Sequence, residues 1–166
     1  MPRLASVVPL VTLFTLATGC SESSEPCEGP NGPCIELSPG ADDDHTAIQA
    51  ALIDAWPGDV IFLAAGTYEL GLGLSLTVDD VTVRGAGADD TVLDFSSQAD
   101  GAQGLLITTD GFTVEDLAVV DTVGDGIKVE GGAGVIFRRT RVEWTGSPSS
   151  DNGAYGLYPV QCQNVL

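Results

Sequence analysis

Two short apolar patterns recur along this chain, in step with each other. Gly104-Leu105-Leu106-Ile107 returns as Gly126-Ile127-Lys128-Val129 and as Gly156-Leu157-Tyr158-Pro159. A second element, Val81-Thr82-Val83, returns as Phe112-Thr113-Val114, Val135-Ile136-Phe137 and Val165-Leu166, at steps of 31, 23 and 30 residues. A unit of about 22 residues with insertions in two of its turns fits these steps, and such a period marks a stacked solenoid. The segments are short, rich in β-branched residues and bounded by Gly and Asp turns, so none can bury a face alone. Coiling removes the difficulty, because matching positions of successive coils then sit about 4.8 Å apart and build apolar ladders along the axis. The register sets Phe112, Val114, Leu117 and Val119 beneath Val135, Phe137, Thr140 and Val142. An up-and-down antiparallel barrel is the rival, but it needs tight two-residue hairpin signals, and the recurring register favours parallel stacking.

The rest of the chain divides around this body. Residues 1–19 place Arg3 before an apolar run over 4–17 that is too short to span a bilayer and suits a cleaved export signal. Residues 20–43 are rich in Ser, Pro, Gly and acid and read as a tether, with order beginning near Asp44. Thr46-Ala47-Ile48-Gln49 has the spacing of a capping box, with Asp44 as the competing cap, and Ile48, Ala51, Leu52 and Ala55 follow at helical spacing up to Pro57. Cys27 and Cys34 predict a disulfide closing a small loop in an oxidising compartment, since no His or further Cys lies near in sequence. Cys162 reads as a small core residue.

The stretch DHTAIQAALIDAWPGDVIFLAAGTYEL resembles the opening of right-handed parallel β-helix proteins of the pectate-lyase-like superfamily, in which a helix caps the first coil and a Pro-Gly-Asp turn leads into it. The resemblance covers residues 44–166 and implies an all-β, right-handed parallel β-helix with a short N-terminal capping helix. The closing VEWTGSPSSDNGAYGLYPVQCQNVL is similar to a narrower group of exported, often lipoprotein-type β-helix repeat proteins of unassigned role. Ala17-Thr18-Gly19 followed by Cys20 resembles a bacterial lipoprotein signal, with Leu16 one place further from the cysteine than is usual. That likeness implies lipidation of Cys20 and a membrane anchor, and Ser21 in place of Asp resembles outer-membrane sorting if the host is Gram-negative. Val165-Leu166 aligns with Val135-Ile136, whose coil runs on for several more residues, so the expectation is an N-terminal fragment of a longer solenoid.

The formal charge of −18, with 6 Lys and Arg, gives nucleic acid no basic footprint and disfavours anionic surfaces. A polyanionic ligand would need a local basic patch or a bridging cation. In β-helix lyases and epimerases an Arg or Lys on an outer face abstracts the proton beside a uronate carboxylate, and here the basic residues other than Arg3 and Arg84 fall between Lys128 and Arg141. Arg84, Glu115 and Arg138 occupy equivalent positions on successive coils, as do Asp116 and Arg139, which reads as a pair of charge ladders. Lys128 and Arg141 have no partner by this register and are the catalytic candidates. The DPHE stretch associated with alginate epimerases is absent.

Asp100, Asp125 and Asp151 each precede a Gly-rich restart, where oxygen ligands could gather on Ca²⁺, although Asp is also the commonest turn residue. No other cofactor is implied. Trp144, Tyr155 and Tyr158 flank the inserted loop over 145–154 and offer aromatic platforms for a sugar, against a plain packing role. His45 reads as a capping-region residue. Polysaccharide binding by an envelope-anchored module, with a lyase or epimerase as its fullest form, is the leading functional expectation; a non-catalytic envelope scaffold that binds a protein partner is the alternative.

Overall fold

The structure is a computed structural model, and it describes residues 27–40, 43–99, 101–150 and 152–166. The described residues begin with an antiparallel hairpin, β1 (Glu28–Gly29) and β2 (Gly32–Pro33), closed by the Cys27–Cys34 disulfide. After β3 (Ile35–Leu37) comes the one helix among the described residues, α1 (Asp44–Asp54), and then, among the same residues, four successive three-strand coils. The first is β4 (Val60–Leu63), β5 (Gly66–Glu69) and β6 (Leu74–Leu76); the second is β7 (Thr82–Gly85), β8 (Thr91–Asp94) and β9 (Gln103–Ile107). The third is β10 (Thr113–Glu115), β11 (Ala118–Val120) and β12 (Asp125–Glu130); the fourth is β13 (Ala133–Arg138), β14 (Arg141–Glu143) and β15 (Leu157–Val160), with β16 (Gln163–Val165) after it.

Equivalent strands of successive coils pair in parallel and in register. The first sheet runs β3-β4-β7-β10-β13-β16, the second β5-β8-β11-β14 and the third β6-β9-β12-β15. This is a parallel β-helix, and the parallel pairing excludes the antiparallel barrel. The two recurring patterns of the sequence are the third and first sheets respectively: Leu105 pairs with Ile127 and Ile127 with Leu157, while Thr113 lies between Thr82 and Ile136.

The interior is a set of one-residue-wide columns. Ile61, Val83, Val114 and Phe137 stack in the first sheet, Tyr68, Leu93, Val119 and Val142 in the second, and Leu76, Ile107 and Val129 in the third. Burial of each such side chain is worth about 1.5–3 kcal/mol, the main return that short strands obtain from coiling. Phe112 meets Phe137 edge to face at 5.8 Å between ring centroids. Tyr68 reaches the interior with its hydroxyl, 2.9 Å from the Leu37 carbonyl and 3.2 Å from that of Ala64. Cys162 packs partly buried against this core and has no disulfide partner among the described residues, in keeping with its reading as a small core residue.

The helix closes the first coil as expected, burying Ile48, Ala51 and Leu52. Its cap differs from both expected residues. Asp43 is the N-cap, accepting from the Thr46 amide at 3.1 Å and from the Thr46 hydroxyl at 2.7 Å. Asp44 instead spans outward, accepting the Gly40 and Glu69 amides at 2.7 and 3.0 Å and so tying the helix to β5. The Gln49 amide imitates a neighbouring strand: it donates to the Ser75 carbonyl at 3.0 Å and accepts the Ser75 amide at 2.8 Å, satisfying the edge of β6. His45 sits in the first helical turn, within 3.3 Å of the Gly73 carbonyl, so it belongs to the cap.

Within the stretch over 20–43 that composition assigns to a tether, the described residues include β1, β2 and β3. Ile35 and Leu37 pack on the core and β3 pairs along β4, so the folded body starts well before Asp44. Three alternating residues among Pro, Gly and Ser carry too weak a pattern to stand out, yet they are enough to cover an edge strand.

Candidate functional site

Residues of the third sheet alternate inward and outward, and its outward column reads Ser75, Leu106, Lys128 and Tyr158 from the first coil to the fourth. Tyr158 is carried there by β15. Tyr155 comes from the end of the inserted loop and is fixed by its backbone: its amide donates to the Asp125 carboxylate at 3.2 Å, and its carbonyl accepts the Gly126 amide at 2.9 Å. The two rings stack with centroids 4.3 Å apart and planes 18° from parallel. Tyr155 remains half exposed, at 51%. The result is a held aromatic surface beside the one cation among the strands of that sheet, Lys128.

Lys128 is not free. Its ammonium lies 2.5 Å from a carboxylate oxygen of Glu130, two residues along the same strand face. The hydrogen bond to Glu130 is the main cause that raises its pKa above the usual lysine value, with lesser contributions from Tyr158 and Asp125. A lysine so held is protonated at neutral pH and is a poor proton acceptor. The reading that Lys128 lacked a partner is therefore corrected, and its signal was available: Lys128-Val129-Glu130 alternates, and residues two apart share a face.

Arg141 lies on the second sheet, with its own partners. It pairs with Glu143 and, at 3.5 Å, with Asp89, and it donates to the Ala88 carbonyl at 2.9 Å, strapping the loop between β7 and β8 onto β14. Its Nε is buried without a hydrogen-bond partner among the described residues. Lys128 and Arg141 are thus not assembled into one pair. Trp144 is also placed apart: its indole nitrogen donates to the Thr122 carbonyl at 2.7 Å, and among the described residues it makes no ring contact with either tyrosine. Thr145 beside it is fastened through its amide and hydroxyl to the Asp121 carboxylate at 2.7 and 2.6 Å.

Of the three aspartates considered for Ca²⁺, Asp100 and Asp151 lie outside the described residues, as does Cys20. Asp125 uses its carboxylate to hold Tyr155 in place. Among the described residues no group of three His, Cys, Asp or Glu side chains is arranged for a metal ion. An acidic recess that the sequence did not announce is lined by Gly40, Asp43, Asp44, Thr67 and Glu69. Its Asp43 and Asp44 carboxylates are engaged by the amides of the helix and of β5.

The anticipated charge ladder is present. Glu115 receives Arg84 at 2.7 Å from the coil below and Arg138 at 3.1 Å from the coil above, and Arg139 lies 2.5 Å from Asp116.

No family model and no curated protein matches this chain. Among solved structures, an alginate lyase from Paenibacillus sp. str. FPU-7 is similar at a TM-score of 0.50 and 22% identity, over 66% of this chain and 36% of that one. The chain thus spans little more than a third of the lyase to which it is similar, and the likeness is one of fold.

Proposed function

We propose that this domain binds a polysaccharide along the outer face of the third sheet, with Tyr155 and Tyr158 as the platform. The stacked, backbone-fixed tyrosine pair carries the reading: an exposed ring held in place loses little freedom when a sugar's apolar face settles on it. Lys128, Glu130 and Asp125 around it supply a donor and acceptors for hydroxyl groups. The fold shared with an alginate lyase supports a polysaccharide-related role by analogy alone.

Binding is favoured over catalysis at this site. Lys128 is protonated and committed to Glu130, and Arg141, the other candidate, straps a loop on a different sheet. Export and anchoring through a lipidated Cys20 belong to the same proposal, and the Cys27–Cys34 disulfide supports an oxidising compartment.

Affinity electrophoresis through gels cast with envelope and extracellular polysaccharides, alginate and pectin among them, tests the binding. Retardation in one gel, lost in Tyr155→Ala, is the expected result. Unchanged mobility in every gel would leave the scaffold reading, with a protein partner, in its place. Release of unsaturated uronate ends from alginate or pectin would show that catalysis had been wrongly set aside.

A further inference from the structure

We infer that the tyrosine face selects a neutral pyranose chain and rejects polyuronates. This rests on the polysaccharide reading above and deepens it. Three charged residues lie on this face, with a formal sum of −1: Lys128, opposite Tyr158 in the ladder; Glu130, paired with Lys128; and Asp125, which accepts the Tyr155 amide. A uronate carboxylate arriving at Lys128 would have to displace Glu130 from a 2.5 Å contact and would still face Asp125.

No second cation stands on this face among the described residues. Among the described residues Arg84, Arg138 and Arg139 lie with the first sheet around Glu115 and Asp116, and Arg141 lies on the second. The field of the whole chain, at −18, adds to the penalty. A neutral sugar meets none of these costs. Its apolar face lies on the half-exposed Tyr155 ring, and its hydroxyls donate to Glu130 or Asp125 and accept from the Lys128 ammonium, an exchange that leaves the ion pair whole.

Titration calorimetry of the intact protein with hexasaccharides of glucose, mannose and galactose, and with hexamannuronate and hexagalacturonate, each with and without Ca²⁺, decides the question. At least one neutral hexamer should bind at least about tenfold more tightly than either uronate. Tyr155→Ala should weaken that binding by about tenfold or more while circular dichroism remains unchanged.

Glu130→Gln should move the selectivity. With Lys128 released, hexauronate binding should strengthen by about tenfold and fall again with added salt. Uronates binding as tightly as neutral hexamers to the unaltered protein would overturn the selectivity and leave polysaccharide binding intact. Binding of neither class would overturn the polysaccharide reading itself. Neutral binding indifferent to Tyr155→Ala would overturn the placement of the site.

Discussion

Glu115 is 4% exposed and carries a carboxylate, a combination that is stable only because guanidiniums from neighbouring coils close on it. Arg139 adds a third, at 3.6 Å. Glu115→Gln preserves shape and removes the charge, leaving these guanidiniums facing one another; the expected cost is about 2–4 kcal/mol in urea unfolding. Arg138→Ala should cost less than about 1 kcal/mol, because that side chain is more than half exposed. Equal costs would mean that the ladder is decoration. Tyr68 offers a second test. Burial, then the Asp44 carboxylate, push its hydroxyl up to about 12, so the folded state keeps a proton that the unfolded chain gives up near pH 10. A raised pKa contributes stability that is complete below the unfolded value and is lost as pH rises through the folded one. Unfolding midpoints should therefore fall between about pH 10 and 12, and in Tyr68→Phe that fall should be shallower. The ladder was legible in the sequence because repeat register pairs its members. The Tyr155–Tyr158 stack was only half legible, since the path of the inserted loop that returns Tyr155 onto Tyr158 is not set by the repeat register.

Strands of three to six residues persist here because each lies on another of the same kind. Backbones approach so closely at one corner that a side chain is not tolerated: a Cβ on Gly124 would land on the Ala102 carbonyl. Gly124→Ala should cost about 1–3 kcal/mol through the forced shift of one coil against the next. Gly146, in the exposed loop with nothing near its Cβ position, is the control, and alanine there should change stability by less than about 0.5 kcal/mol. Should both variants melt together with the parent, the coils are looser than their register implies. The coils themselves could be read from the sequence, because every repeat restates the same alternation. The elements that occur once could not be placed so well. The hairpin β1–β2 and the strand β3 sit in a Pro/Gly-rich stretch that composition assigns to a tether, and α1 is capped by Asp43 where the Asp run offers several caps that only geometry can separate. Repetition is what makes a pattern visible, and unique segments lack it.

At the scale of the molecule, much of the acidity is structural. Turn aspartates accept an amide from the next coil: Asp79 from Asp110 at 3.0 Å, Asp110 from Ala133 at 2.7 Å, Asp121 from Thr145 at 2.7 Å and Asp125 from Tyr155 at 3.2 Å. The same need for oxygens at coil corners that resembles a cation site is met here by backbone N–H groups. Four carboxyls are held below the usual range: Asp43 first by the Thr46 hydroxyl, Asp59 first by the Asn31 amide, Asp79 first by the Thr109 hydroxyl and Asp116 first by Arg139. A depressed pKa contributes stability that is complete above the unfolded value, about 3.9 for Asp, and is lost as pH falls through the folded one. Self-repulsion at −18 works the other way, since mild acidification relieves it. Salt separates the two, because repulsion between exposed charges is screened over about 10 Å at 0.1 M while contacts at hydrogen-bond distance are screened far less. In low salt the urea midpoint should rise slightly from pH 7 towards pH 5 and then collapse below about pH 4. In about 0.5 M salt the rise should vanish and the collapse remain. The combined Asp59→Asn, Asp79→Asn and Asp116→Asn variant should start lower at pH 7 and lose less between pH 4 and 2, because groups that no longer titrate cannot take up protons on unfolding. A variant that loses as much as the parent over that interval would place the acid-sensitive contacts elsewhere in the solenoid, outside Asp59, Asp79 and Asp116.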